Sequence, residues 1–141
     1  MPELKNKVNK EEIDTRINFI LEKTNTGFSA YCESHPIFTT GKSMTKLISN
    51  IYEASELYFS NTKEKINQKN IAFEIDFKQF FQYYKILNAR YLAERIGMNP
   101  TLLSQYVQGH KKPSKKQAEK ILRGINQIGK ELSEISLIQN Q

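Results

Sequence analysis

Residues 41–43, Gly-Lys-Ser, are the residue types that end a phosphate-binding loop, in which consecutive backbone N–H groups hold the phosphates of a nucleotide. The full pattern, G-x-x-x-x-G-K-[ST], requires a second glycine five residues before Gly41. Pro36 occupies that position, and proline has no backbone N–H and a fixed φ angle. The intervening residues, IFTT, favour extended structure. The tripeptide therefore predicts a turn out of a strand at Gly41, with Ser43 as the N-cap of a following helix.

Other side chains with catalytic or metal-binding potential are scattered along the chain. His35 and His110 lack the spacing of metal ligands, and Cys32 is the lone cysteine. We find no paired carboxylates and no nucleophile with a neighbouring base. The sequence therefore predicts a protein that is not an enzyme and that uses no metal and no cofactor. A lone cysteine fits a small buried side chain in a reducing cytoplasm.

The positive charge lies in the second half of the chain. Residues 1–61 hold 7 Lys/Arg and 8 Asp/Glu, a net charge of −1, whereas residues 62–141 hold 14 and 7, a net charge of +7. This asymmetry indicates either a solvated basic face or a module that binds a polyanion. No apolar run approaches the roughly 18 residues that span a bilayer, and the first twelve residues are too polar for a secretory signal. We therefore expect a cytoplasmic protein without a membrane partner.

Apolar periodicity predicts an α+β protein with a boundary near residue 75. Residues 1–15 read as a polar extension, 16–75 as a β-β-β-α-β domain, and 76–141 as an all-α domain. In the first domain, short β-branched and aromatic runs predict the strands, and a helical repeat begins after Ser43 and continues to about Ser60. In the second, Asn88, Asn99 and Ser114 are placed to cap successive short helices.

The segment YLAERIGMNPTLLSQYVQGHKKPS has the pattern of two short helices joined by a tight turn. Gly97 supplies the residue that tolerates a positive φ angle in that turn. The remaining apolar positions provide the inner faces of the two helices: Leu92, Ala93 and Ile96 on the first, and Met98, Leu103 and Tyr106 on the second.

The outer face of the second helix carries uncharged hydrogen-bonding side chains, which suit base edges in a DNA major groove: Thr101, Ser104, Gln105 and Gln108. Cations flank this face, and we predict that they contact DNA phosphates: Arg90, Lys111, Lys112, Lys115 and Lys116. The alternative for the KKPSKK segment is a solvated loop without a partner.

Residues 76–126 resemble the Xre/Cro-type helix-turn-helix of phage repressors and bacterial regulators, through the LAERIG turn and the GHKKPS loop. The resemblance implies that the helix at residues 100–108 is the recognition helix and that the partner is operator DNA.

Apolar residues continue beyond this domain at alternating steps of three and four. Ile128, Leu132 and Ile135 extend past what the helix-turn-helix core requires, and we predict that they form the seam of a symmetric homodimer or higher oligomer suited to a palindromic operator. The alternative is that Gly129 bends or ends the last helix.

The first domain resembles HicB-like antitoxins of type II toxin–antitoxin systems. The likeness rests on five short motifs: Glu22-Lys23, Gly27-Phe28, Ala30-Tyr31, Thr39-Thr40-Gly41 and Glu56-Leu57-Tyr58. His35-Pro36 stands where that family commonly has Pro-Gly, and Lys42 stands where it often has an acidic residue. The resemblance implies a partial ribonuclease-H-like fold and a HicA-type mRNA-cleaving toxin as partner. It does not identify the surface that contacts the toxin.

We therefore expect an antitoxin that neutralises a toxin and represses its own operon. A ligand-responsive helix-turn-helix repressor without a toxin partner is the alternative. A catalytic ribonuclease is disfavoured, because the predicted first strand from Ile17 to Leu21 holds no carboxylate and Glu22 has no evident acidic neighbour for metal binding.

Overall fold

The computed structural model describes residues 16–138, so the polar extension predicted for residues 1–15 lies outside the described residues. The elements follow in the order β1 (Ile17–Thr24), β2 (Gly27–Cys32), β3 (Phe38–Gly41), α1 (Met44–Phe59), a 3₁₀ turn (Gln68–Asn70), β4 (Ile71–Ile75), α2 (Phe77–Tyr83), α3 (Ala89–Ile96), α4 (Pro100–Gln108) and α5 (Lys115–Ser133). The chain divides into two compact units after Asp76. The predicted α+β class is confirmed.

The first unit is a four-stranded sheet with the strand order β3-β2-β1-β4. The hairpin β1–β2 and the pair β2–β3 are antiparallel, whereas β4 pairs with β1 in parallel, with Ile17 opposite Ile71. The parallel pair requires a crossover connection between β3 and β4, and α1 lies in that connection.

Helix α1 covers one face of this sheet with a row of apolar side chains. Leu47 and Ile51 are completely buried and Phe59 is nearly so, against Phe19 of β1, which is also completely buried. Full burial of one such side chain contributes about 1.5–3 kcal/mol. Cys32 is a free, buried cysteine in this core, as its isolation in the sequence predicts.

The Gly-Lys-Ser tripeptide is the turn between β3 and α1. The Lys46 backbone N–H donates to Ser43 Oγ at 3.1 Å, which confirms Ser43 as the N-cap. Gly41 lies so close to the helix that an added β-carbon would stand 2.5 Å from the backbone nitrogen of Leu47. Close backbone packing thus accounts for the glycine, and capping accounts for the serine.

The second unit consists of short helices, each started by a capping side chain. Asn88 Oδ1 accepts from the Tyr91 N–H, Asn99 Oδ1 from the Thr101 N–H, and Ser114 Oγ from the Gln117 N–H. Each such cap is worth about 1 kcal/mol. All three predicted caps are confirmed, and Pro100 stands in the first turn of α4.

Helix α5 passes through Gly129 and ends at Ser133. The N–H groups of Glu134 and Ile135 donate to carbonyls three residues earlier, at 3.2 Å each, which closes the last turn. Ile135 therefore lies two residues beyond the end of α5, whereas Ile128 and Leu132 lie on the helix.

Helix α5 is positioned against α3 through Gly124. A β-carbon at this glycine would lie 2.3 Å from Ile96 Cγ2, whereas a β-carbon at Gly129 would meet nothing within 4 Å. We expect Gly129→Ala to stabilise the unit by up to about 1 kcal/mol, because alanine is the better helix former. Gly124→Ala should destabilise it by about 1–3 kcal/mol, because overpacking outweighs that gain.

Urea denaturation followed by circular dichroism measures both free energies of unfolding. The Ile96→Ala background serves as a control, since it removes the clashing methyl group and should abolish the penalty of Gly124→Ala. Equal effects of the two glycine substitutions in the parent chain would contradict the close α3–α5 contact.

Candidate nucleic-acid interface

The turn between α3 and α4 is built on Gly97. This residue is left-handed, with φ 69° and ψ 34°, and the Met98 N–H donates to the Ala93 carbonyl at 2.9 Å. Such a 6→1 hydrogen bond past a left-handed residue is the usual way for a helix to end at glycine. The glycine predicted for the turn is confirmed. Lys120 of α5 adds a contact, with Nζ donating to the Gly97 carbonyl at 3.4 Å.

The two helices pack through small and apolar side chains. Ala93 and Leu103 are completely buried, and Leu92, Met98 and Tyr106 are nearly so, whereas Ile96 is half-buried. The completely buried Ile121 of α5 belongs to the same unit. The predicted inner faces of α3 and α4 are confirmed. Because one side of α4 is buried, the opposite side is the one exposed to a partner.

The four side chains predicted to read bases lie on α4 at positions i, i+3, i+4 and i+7, which is one face of a helix. Thr101 and Gln108 are exposed, and Ser104 and Gln105 are half-exposed. An α-helix fits the major groove of B-DNA, where hydroxyl and amide groups can pair with base edges. Their contact with bases stays a prediction.

The residues predicted to contact phosphates lie on three segments of the second unit. Arg90 is exposed in the first turn of α3, Lys111 and Lys112 are exposed between α4 and α5, and Lys115 and Lys116 are exposed in the first turn of α5. Within residues 77–141 there are eleven basic and four acidic residues, a net charge of +7. A polyanion is the partner that such a field attracts.

Lys115 and Lys116 stand at the wrong end of a helix for stability. The N-terminus of a helix carries a partial positive charge, so that cations there are unfavourable, and α5 has no acidic residue in its first turn. Two exposed lysines at this position therefore add little to the stability of the fold. A phosphate placed beside them would interact with both the ammonium groups and the helix end.

Arg95 and Lys120 carry structural contacts that the sequence did not reveal. Arg95 of α3 forms an ion pair with Glu131 of α5. The Arg95 hydrogen bond, together with one from Gln127, holds the pKa of the Glu131 carboxyl below its ordinary value. The pair thus favours the folded state above the unfolded pKa of glutamate and is lost as the pH falls through the lowered folded pKa. No pattern in the sequence joins residues this far apart.

The three residues predicted to form a dimer seam differ in their exposure. Ile128 is half-buried on α5, while Leu132 is 59% and Ile135 75% exposed. Leu137 and Ile138, further along the chain, are also exposed. Ile128 and Leu132 lie in the last two turns of α5 and Ile135 follows its end, and their role as a dimer seam stays a prediction.

Among residues 16–138, no group of three or more His, Cys, Asp or Glu side chains is placed to hold a metal ion. The same residues include no helix whose length and apolar character would let it cross a membrane.

Comparison with known proteins agrees with this geometry. Residues 85–129, about a third of the chain, match the family model described as Helix-turn-helix (HTH_3). A search of the curated proteins returns no match to the chain. The match includes α3, Gly97 and α4 as well as the lysine loop and most of α5. Residues 85–129 are thus an Xre/Cro-type helix-turn-helix domain, which supports sequence-specific DNA binding in transcription regulation.

Proposed function

We propose that the chain is an antitoxin of a type II toxin–antitoxin pair, which binds and neutralises a HicA-type toxin and represses its own operon. The single observation that carries the DNA-binding half is the polar face of α4, set beside exposed lysines in a helix-turn-helix domain. In this proposal the chain is cytoplasmic, uses no cofactor and has no catalytic activity of its own.

In the proposed complex with DNA, α4 enters the major groove. Thr101, Ser104, Gln105 and Gln108 read base edges, and the cations at Arg90, Lys111, Lys112, Lys115 and Lys116 contact phosphates. The division of labour follows from chemistry, because amide and hydroxyl groups discriminate between bases, whereas ammonium groups bind any phosphate. The unfavourable placement of Lys115 and Lys116 at a helix N-terminus supports the phosphate role.

The toxin-binding half of the proposal rests on the first unit. Its β-β-β-α-β order and the motifs at Gly27-Phe28, Ala30-Tyr31 and Thr39-Thr40-Gly41 support the resemblance to HicB-like antitoxins and to their partial ribonuclease-H-like fold. Binding rather than RNA cleavage is proposed, since β1 contributes Glu22 as its only carboxylate.

A homodimer or higher oligomer completes the proposal. Exposed apolar side chains can mark interaction sites, and Leu132 and Ile135 are both exposed. A two-fold symmetric dimer would present two α4 helices to two half-sites of an operator.

The DNA-binding proposal is tested with a labelled duplex taken from upstream of the chain's own reading frame and a scrambled duplex of equal length. Gln105→Ala should cost about 1–3 kcal/mol on the upstream duplex and leave binding to the scrambled duplex unchanged, because an amide contact to a base is sequence-specific. Fluorescence anisotropy gives both affinities. Lys115→Gln should instead weaken both duplexes alike.

Gln127→Ala is the matched control, because this exposed glutamine lies about 18 Å along α5 from Lys115. The assignment of α4 as the recognition helix fails if Gln105→Ala and Ser104→Ala both retain the parent affinity for the upstream duplex.

The dimer is tested by sedimentation equilibrium at micromolar concentration. The parent chain should have twice the monomer mass, and Leu132→Asp should reduce it to the monomer mass, because a carboxylate is costly in an apolar seam. Ser133→Asp, the next residue and also exposed, should leave the dimer intact. If the parent chain is strictly monomeric, the proposed dimer is wrong.

Toxin binding is tested with the protein encoded by the adjacent reading frame. Its expression alone should arrest growth, and co-expression of the present chain should restore growth and yield a complex that co-purifies. If the chain binds its upstream DNA but neither restores growth nor forms the complex, the antitoxin role is wrong and a repressor without a toxin partner is left.

A further inference from the structure

Lys78 of α2 reaches the end of the recognition helix. A β-carbon added to Gly109, the residue that ends α4, would lie 3.2 Å from Lys78 Cδ and 3.8 Å from Lys78 Cβ. The alkyl part of the lysine therefore runs across the face of this glycine. Lys78 is exposed, and α2 lies before residues 85–129, which match the helix-turn-helix family.

The position of the alkyl chain limits where the ammonium group can be. Nζ is two bonds beyond Cδ, so it lies within about 2.5 Å of that atom. The charge is therefore held close to Gly109, next in the chain to the exposed loop of His110, Lys111 and Lys112. Anchoring of the alkyl chain also lowers the entropy that a flexible lysine would lose on contact with a partner.

Two local roles could explain a lysine here without a ligand. The C-terminus of α4 carries a partial negative charge that favours a nearby cation, and the alkyl chain packs on Gly109. Within residues 16–138 no carboxylate lies within ion-pair distance of Lys78, in contrast to Arg95, which is paired with Glu131. The charge of Lys78 thus remains available to an anion that approaches the loop after α4.

We propose that Lys78 is a further DNA-phosphate contact, which extends the binding footprint of the helix-turn-helix from the loop after α4 onto α2. The inference rests on the proposed function, because it assumes that the loop at Lys111 and Lys112 faces the DNA backbone. The group that Lys78 would bind is a phosphate of the same stretch of DNA strand that the loop of Lys111 and Lys112 contacts.

The test uses Lys78→Met, which keeps the alkyl packing on Gly109 and removes the charge. Anisotropy with the upstream and the scrambled duplex, measured as the salt concentration is raised, gives the slope of log affinity against log salt. That slope should become shallower by about one, and both duplexes should bind roughly threefold more weakly at low salt. Lys78→Arg should restore the slope, because it restores the charge.

Lys130→Met is the matched control, because Lys130 is an exposed lysine about 22 Å along α5 from Lys115 and should leave the slope unchanged. Thermal unfolding separates a structural role from a phosphate contact. If Lys78→Met keeps the parent salt slope, with or without a lowered Tm, the inference is overturned while the parent's DNA binding stands. If the parent chain binds neither duplex, the proposed function itself fails.

Discussion

The second unit depends on the close approach of α3 and α4 across the turn at Gly97. This approach is possible because Ala93 has no side-chain atoms beyond the β-carbon and because glycine adopts a left-handed conformation without a steric penalty. Leu103 of α4 is completely buried. With the apolar side of α4 fixed in this way, its opposite side must face outward, and that side holds Ser104, Gln105 and Gln108. The recognition surface is thus a consequence of how the core is packed.

Electrostatics in this unit divides the cations into two groups. Arg95 and Lys120 make contacts that hold α5 against α3 and against the turn, so their charges serve the fold. Lys115 and Lys116 lie at a helix end where a positive charge is unfavourable, so these two charges do not stabilise the fold. Lys115 and Lys116 thus contribute to the net charge of +7 over residues 77–141 without gaining stability from the helix end beside them.

The first unit shows how one short motif can be shared by unrelated functions. Gly-Lys-Ser is common to phosphate loops and to this strand-to-helix turn because both need a glycine without a β-carbon and a polar residue at a helix start. Here the glycine admits the backbone of α1 at Leu47, and the hydroxyl group of Ser43 caps the helix. Lys42 is exposed and takes part in neither interaction.

Interactions between residues a few positions apart could be predicted from the amino-acid pattern: the caps at Asn88, Asn99 and Ser114, the turn at Gly97 and the inner faces of α3 and α4. These are readable because helical geometry relates positions i, i+3 and i+4 directly. Tertiary structure alone decided which distant residues meet, namely β1 with β4, Arg95 with Glu131, and Lys78 with Gly109. The tertiary structure also shows that α5 ends before Ile135. The sequence did not reveal this end, because apolar periodicity continues past Ser133, where backbone hydrogen bonds close the helix. Such contacts depend on how whole elements pack, and no local spacing encodes that packing.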